Sequence, residues 1–288
     1  MSAFPENDEH IIEAIGKCRV IIRKGVVVEV GQPEISCCPL AKRFAYPVPD
    51  ITPDAVKANV ERRIKKFGMC TPEREVLDHR EFVGFGASEI FSFGITSGHL
   101  DAVVIACDGA GTVIATDPAM IQGIGGRMSG LIATTPIPEV IKRITANGGI
   151  VIDPDHARMD PVAGVKRAYS EGYRTVAVTV ASAAAAADIR NRFPDVLICT
   201  VHTTGLSREE AESLAATSDL ITACASGPVR EIAGAKALLQ AGVSVPIFAM
   251  TKKGKNLILD KLRESPEPVL VKPTRLPSLV GEQPEPLI

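Results

Sequence analysis

Tryptophan is missing from this chain and tyrosine occurs only three times, which removes the stacking surfaces that readers of single-stranded nucleic acid use. Neither charge sign is in excess: 32 basic and 34 acidic residues are spread along the chain and leave a formal net charge of −2. We therefore expect no nucleic-acid partner and no membrane partner. No apolar run approaches the roughly 18 residues that a membrane span needs, and the start MSAFPENDEH lacks the basic opening and apolar run of a signal peptide. The expected location is cytoplasmic. Also missing are any CxxC pair and the GxxxxGK loop of the P-loop NTPases. Gly123, Gly125 and Gly126 begin a GxGxxG but meet Met128 where its last glycine should stand.

What the chain does have is bulk, glycine and thiols. With 288 residues and 45% hydrophobic content it can bury a large core, as one large domain or two smaller ones. Seven cysteines are an odd number in a chain whose size needs no disulfides to fold, so the thiols are buried small hydrophobes, ligands or nucleophiles. Glycine concentrates between Asp101 and Glu139. There the apolar run Ala102 to Ala106 breaks into Cys107-Asp108-Gly109-Ala110-Gly111-Thr112, and Gly123, Gly125, Gly126 and Gly130 follow with Arg127 among them. Glycines packed outside regular elements mark positive φ or backbone brought close to something. We expect this stretch to form one wall of a ligand site; tight turns alone are the alternative.

Along the chain, residues before about Ala14 read as a loose terminus. The runs Arg19 to Ile22 and Val26 to Val30, about Lys24 and Gly25, give a hairpin signal. Thr52 and Pro53 start a helix with Val56, Val60, Ile64 and Phe67 on one face and Arg62, Arg63, Lys65 and Lys66 on a solvated one. Cys70 stands just before a second expected helix at Thr71-Pro72, where a helix N-terminus favours the thiolate. From Ile150 onward, apolar runs at Ile150 to Ile152, Thr175 to Ala181, Val196 to Val201, Leu220 to Ala223 and Val245 to Ala249 recur about every 20 to 26 residues, the repeat of a βα unit. Ser207 with Glu210 makes a capping box, and Ser226-Gly227-Pro228 opens another helix. The expected fold is α/β: a mainly parallel sheet of about six strands with helices on both faces, plus an N-terminal β-hairpin segment. A closed eight-stranded barrel is the alternative, but two strands are missing from the count. The boundaries fall at 1–100 (hairpin and helical segment with Cys18, Cys37, Cys38 and Cys70), 101–264 (the α/β domain) and 265–288. That last segment holds six of the 21 prolines and reads as an extended tail, wrapping the surface or reaching a partner subunit of a homo-oligomer.

In parallel sheets ligands bind beyond the carboxyl ends of the strands. Cys107, Cys199 with His202, and Cys224 all fall near such ends. With Cys70 they make a candidate set for zinc or an iron–sulfur cluster; the competing reading is ordinary burial, since free cysteine is among the most buried residue types. Cys107, Asp108 and His202 are the candidate catalytic groups. Cys18, Cys37 and Cys38 form a second thiol group or join the same site. Anion binding is the other chemistry on offer. Gly109, Gly111, Gly125, Gly126 and Arg127 on one side, and Ser226, Gly227 and Arg230 at a helix start, are the candidate ligand-binding residues for a small anionic ligand. His79, His99 and His156 read as surface or helix-end residues.

The blocks KCRVIIRKGVVVEVG, CCPL, FGMCTPERE, ACDGAGTVIATDP, QGIGGRMSGLIATTPIPE and VAVTVAS together resemble the archaeal methanogenesis marker protein 8 family, closely from Lys17 to Val180 and more loosely beyond. The resemblance implies a role near methanogenesis, in making a cofactor or in assembling methyl-coenzyme M reductase. It raises the prior for oxygen-sensitive metal or sulfur chemistry and carries over no catalytic residue. Three functions stay open: an enzyme or assembly factor with a metal-binding or nucleophilic thiol site, a non-catalytic accessory subunit that binds a protein partner, and a metal-free enzyme acting on a small phosphorylated or carboxylated metabolite.

Overall fold

The computed structural model describes residues 4–81, 83–127, 130–266 and 268–288. Strands and helices are numbered along the chain. Among the described residues, β1 (His10–Glu13), β2 (Arg19–Arg23), β3 (Val26–Val30) and β6 (Gly130–Thr134) form an antiparallel sheet in the order β3-β2-β1-β6. The hairpin expected about Lys24 and Gly25 is there. Both residues are left-handed, at φ 50 and 71, the backbone that a two-residue loop needs to match the strand twist. The loose terminus expected before Ala14 is instead a central strand. His10 and Ile12 pair with Ile22 and Val20, and all four are fully buried. Four residues are too few to show a period, so β1 is defined by its partners.

Helix α1 (Pro53–Phe67) covers this sheet. The Thr52 hydroxyl accepts from the Ala55 amide at 3.2 Å, Pro53 occupies the first turn and Gly68 ends the helix. Val56 and Val60 are fully buried in the same apolar cluster as Ile12, Val20 and Ile22, each contributing about 1.5–3 kcal/mol by leaving water.

The second sheet holds β4 (Ala102–Cys107), β5 (Gly111–Ala115), β7 (Ile150–Val151), β8 (Val176–Val180), β9 (Leu197–Thr200), β10 (Leu220–Thr222), β11 (Leu239–Ala241) and β12 (Ile247–Ala249), in the order β11-β12-β10-β9-β8-β4-β5-β7. This corrects the expectation of a mainly parallel sheet of about six strands: the sheet is mixed, β4, β8, β9 and β10 pair in parallel, and each flank adds two strands through antiparallel pairings. Two of the strands were hidden. β5 follows β4 through the tight turn Asp108-Gly109-Ala110 and reads as part of a glycine loop, while β11 reads as the continuation of a helix. Helices do lie on both faces. α5 (Pro161–Ser170), α6 (Ala183–Arg192), α7 (Arg208–Thr217) and α8 (Gly227–Lys236) pack on one; α2 (Ala87–Thr96), α3 (Pro118–Gly125), α4 (Pro138–Ala146) and α9 (Lys252–Arg263) pack on the other. Strand alternation sends Val103, Ile105 and Cys107 to the second face and Ala102 and Val104 to the first. No helix among the described residues is long and apolar enough to cross a membrane.

Between α1 and α2 no helix forms at Thr71; residues 71–81 make an irregular loop, and an ion pair pins it. Arg74 Nε lies 2.9 Å from Asp108 Oδ1, with side chains 1% and 0% exposed. The Cys70 amide donates to Asp108 Oδ2 at 2.6 Å, and Arg74 donates to the Gly123 carbonyl of α3 at 3.1 Å. The proline-rich tail wraps the surface: the Ser36 amide donates to the Glu285 carbonyl at 2.7 Å and the Ile288 amide to that of Ala225 at 2.8 Å.

Burial works against an ionised Asp108, but Arg74 and the Cys70 amide overcome it and hold the carboxyl below its ordinary range. Because the folded value lies below the unfolded one, the stabilisation is present at neutral pH and is lost as pH falls below about 4. Asp108→Ala strands a buried guanidinium and is expected to cost about 3–5 kcal/mol in urea unfolding. Glu231→Ala, which breaks the exposed pair to Arg208, is expected to cost less than about 1 kcal/mol.

Candidate functional site

Where the carboxyl ends of the parallel strands meet the smaller sheet, a cavity of about 750 Å³ opens, a volume suited to a metabolite or cofactor. Val180, Val201 and Thr222 at the ends of β8, β9 and β10 line one part; Leu131 of β6 and α1 line another. His202 and Cys224, just beyond β9 and β10, also face it, and both are left-handed at φ 56 and 40. Outside glycine this backbone costs about 1–3 kcal/mol per residue and persists only where neighbours enforce it. Here the Thr203 hydroxyl donates to the Thr222 carbonyl at 2.7 Å, the Ala225 amide to the Thr204 hydroxyl at 3.2 Å, and Arg230 to the Cys224 carbonyl at 2.6 Å.

The other wall is cationic, and α1 supplies most of it. Asn59, Arg62, Arg63, Lys66 and Phe67 line the cavity at spacings of three, four, seven and eight, one stripe of a helix. Arg62 and Lys66 were expected to be plain solvated charges, and the structure turns both to the cavity. The signal was in the spacing, because the stripe lies beside the apolar one and Lys57, Glu61 and Lys65 fall outside it. Arg43 adds a further cation, and Arg43, Arg62 and Lys66 have no ion pair among the described residues. Arg62 lies over the Tyr46 ring at 4.7 Å. Burial and the neighbouring Arg74 push the Arg63 guanidinium down to about 10; it donates to the Arg127 carbonyl. Among the described residues Glu89 is the one acidic side chain on the wall, and its Oε1 accepts from Gln122 at 3.0 Å. The N-terminus of α6, capped by Ser182, also faces the cavity, adding partial positive charge.

The expected site residues separate into three places. Gly125, Gly126, Arg127, His202 and Cys224 line the cavity. The Arg127 charge is engaged by Asp78 at 2.9 Å and Glu75 at 2.8 Å, and its guanidinium stacks over Phe67 at 4.6 Å. Asp108, Cys107, Gly109 and Gly111 lie off the cavity wall in the β4–β5 turn. At Gly111, a Cβ would come within 2.3 Å of the Ala157 backbone, so the glycine serves packing between chain segments. The Gly109 amide donates to the Thr134 hydroxyl at 2.7 Å. Ser226, Gly227 and Arg230 form the start of α8, where the Gly227 amide donates to the Ile288 backbone oxygen at 3.1 Å; the chain's own tail occupies that helix end.

Cys70, Cys107 and Cys199 are fully buried, and burial pushes all three up, so the lowered Cys70 thiol expected from a helix N-terminus is reversed. Burial also pushes Cys18 up to about 11. It raises Cys224 as well, although amides of Thr203 and His202 and the Thr203 hydroxyl face the sulfur and work the other way. Among the described residues, no group of three or more His, Cys, Asp or Glu side chains is placed to hold a metal ion. His79 is exposed, and His99 and His156 sit beside surface carboxylates at 3.4 and 3.1 Å.

Comparison with known proteins places this geometry. The family described as "Uncharacterized protein conserved in archaea (DUF2099)" matches residues 10–263, which include both sheets and every helix that lines the cavity. The chain belongs to this archaeal family. It is also similar to "Uncharacterized protein MJ0054" of Methanocaldococcus jannaschii, at 40% identity over 284 residues, 98% of this chain and all of the relative. No solved structure matches.

Burial and then Arg63 push the His202 imidazole down to about 4. The folded value lies below the ordinary 6.5, so protonation favours the unfolded chain, and stability should fall as pH drops from about 6.5 toward 4. In nitrogen-detected NMR the His202 ring should stay neutral from pH 8 to 5; a His202 midpoint above pH 6 would contradict the burial argument.

Proposed function

We propose that the carboxyl-edge cavity binds a small phosphorylated or carboxylated metabolite. The observation that carries this reading is the cationic stripe of α1. Arg62, Arg63 and Lys66, with Arg43, face a cavity whose wall, among the described residues, holds a single carboxylate, Glu89. Guanidinium and ammonium groups at a concave, partly apolar site recognise anions, Arg43, Arg62 and Lys66 have no ion pair among the described residues, and the α6 N-terminus adds to the same preference. Gly125, Gly126 and Arg127 bound the site, and His202 is the group placed to exchange protons with a ligand. No group of three or more His, Cys, Asp or Glu among the described residues supports a metal or iron–sulfur centre, and no part of this reading passes through one. A setting in methanogenesis, in cofactor production or in methyl-coenzyme M reductase assembly, is what the resemblance implies, and we keep it as the context of the proposal.

Inorganic pyrophosphate should raise the melting temperature and bind measurably by calorimetry, more weakly as salt rises. Arg62→Ala combined with Lys66→Ala should weaken that binding at least about tenfold, or about 1.4 kcal/mol. Equal affinity in the double variant would remove the basis of the reading.

One observation favours a second role, in which a protein partner docks on the tail. Val269, Leu270 and Val271 are 49%, 86% and 76% exposed, a run of apolar side chains left in water. Leu270→Glu with Val271→Glu should then abolish co-purification of a stoichiometric partner without changing the melting temperature. A partner retained by that variant would exclude the tail as the docking segment.

A further inference from the structure

We propose that the cavity takes an amphiphilic anion, with an aliphatic chain held inside it and a phosphate or carboxylate head held at its mouth. The inference rests on the anion-binding reading above and specifies its substrate class. A cavity of about 750 Å³ is far larger than a lone inorganic anion, so most of its wall meets some other part of the ligand. That part of the wall is largely aliphatic. Ile15, Leu40, Ala106, Leu131, Met159 and Val201 line the cavity, and each is half-buried. They come from both sides of the site: Ile15 and Leu131 pack on the apolar cluster of the smaller sheet, and Val201 packs on a cluster of the larger one. A single side chain of this kind on a flat surface needs no explanation. Six around one concavity keep apolar area in water that a ligand chain would cover.

Exposure sorts the wall into a charged part and an apolar part. Arg43, Arg62 and Lys66 are exposed at the mouth, whereas the six aliphatic side chains are half-buried. A ligand that satisfies both parts carries its charge at one end and an apolar body at the other. A sugar or a nucleobase suits the site less well, because hydroxyls and ring nitrogens call for carboxylate or carboxamide partners. Among the described residues the wall has one of each. Glu89 already accepts from Gln122 at 3.0 Å and from the Val83 amide at 3.4 Å, and Asn59 is only 7% exposed.

Butyl and octyl phosphate, each kept below the concentration at which it aggregates, are the probes, titrated by calorimetry. Each methylene that enters the cavity adds up to about fourfold in affinity, so octyl phosphate should bind at least about tenfold more tightly than butyl phosphate. It should bind as one molecule per chain, with the more negative heat-capacity change. Arg62→Ala with Lys66→Ala should weaken both probes alike and keep their ratio. Met159→Gln with Val201→Thr, polar replacements of similar volume, should bring the ratio below about threefold. If that variant melts lower without ligand, Ala106→Leu, which takes up room from the chain, should lower the ratio in its place. Octanoate set against octyl phosphate distinguishes a carboxylate head from a phosphate head.

Equal affinity for butyl and octyl phosphate, with pyrophosphate still bound, overturns the inference and leaves the anion-binding reading standing. The inference also fails if the wall variants leave the ratio unchanged, or if several equivalents of octyl phosphate bind, which is adsorption of a detergent to the surface. Octanol bound as tightly as octyl phosphate, with neither affinity changed by Arg62→Ala and Lys66→Ala, sinks both readings.

Discussion

The buried pair Arg74–Asp108 is the constraint on which the rest of the architecture depends. Asp108 sits in the turn between β4 and β5, at the carboxyl end of the parallel strands. Arg74 comes from the loop after α1, and its remaining donors reach the carbonyls of Gly123 and Ile124 in α3. One ion pair thus joins the larger sheet, a helix on its face and the segment that carries α1. On the other side of the loop, Arg143 of α4 donates to the Arg74 and Pro72 carbonyls at 2.6 and 3.1 Å. An apolar pair of similar volume would be about as stable. It would not fix the direction of a loop without regular structure, because dispersion contacts tolerate sliding and five guanidinium donors do not.

A second chain of hydrogen bonds serves the same end from the smaller sheet. Asp8 meets His10 at 3.1 Å, His10 meets the Thr134 hydroxyl at 2.6 Å, and that hydroxyl accepts from the Gly109 amide at 2.7 Å, one residue beyond Asp108. The two networks converge on the β4–β5 turn, so the smaller sheet and α1 are held over the strand ends from both sides. The cavity is the space this arrangement leaves. Its cations are placed there by α1, whose apolar stripe is committed to the smaller sheet and whose neighbouring stripe lines the cavity, with Arg62 and Lys66 exposed at its mouth. The low-dielectric surroundings then act on every group in the wall. They disfavour charge on His202 and Arg63 and on the thiols, and so increase the gain from an anion that arrives to neutralise the cations.

What could be read from the chain was local or periodic. The hairpin at Lys24-Gly25, the start of α1 at Thr52-Pro53, the capping box of Ser207 with Glu210 and the α8 start at Ser226 all formed where their residues stand. The parallel strands were legible because each is a continuous apolar run buried on both faces. Three short antiparallel strands were not. β1, β5 and β11 have three to five residues each, and their pairing partners decide them. Asp108 was legible as a titratable group at a strand end, but its role was not, since the arginine that holds it lies 34 positions earlier. The α1 stripe was missed for a different reason: a charge facing a cavity and a charge facing water look alike in a sequence, and only the register beside a committed apolar stripe separates them.

The left-handed backbone at His202 and Cys224 follows from the same geometry. Parallel strands deliver their chains to one edge, and each must reverse toward a helix within a few residues; the first left-handed residue after β9 is His202 and after β10 is Cys224, neither of them glycine, with Gly205 following in the β9 loop. A glycine would make the turn at no steric cost, so the side chains at these positions are tolerated against about 1–3 kcal/mol each. The turn at Cys224 is over-determined by Arg230, Thr204 and the tail residue Ile288, which brace it from behind. His202, Cys224 and the cationic stripe line the same cavity, and Arg63 is close enough to His202 to disfavour its charge. Strain, support and charge therefore coincide at one place, the edge at which the larger sheet meets α1.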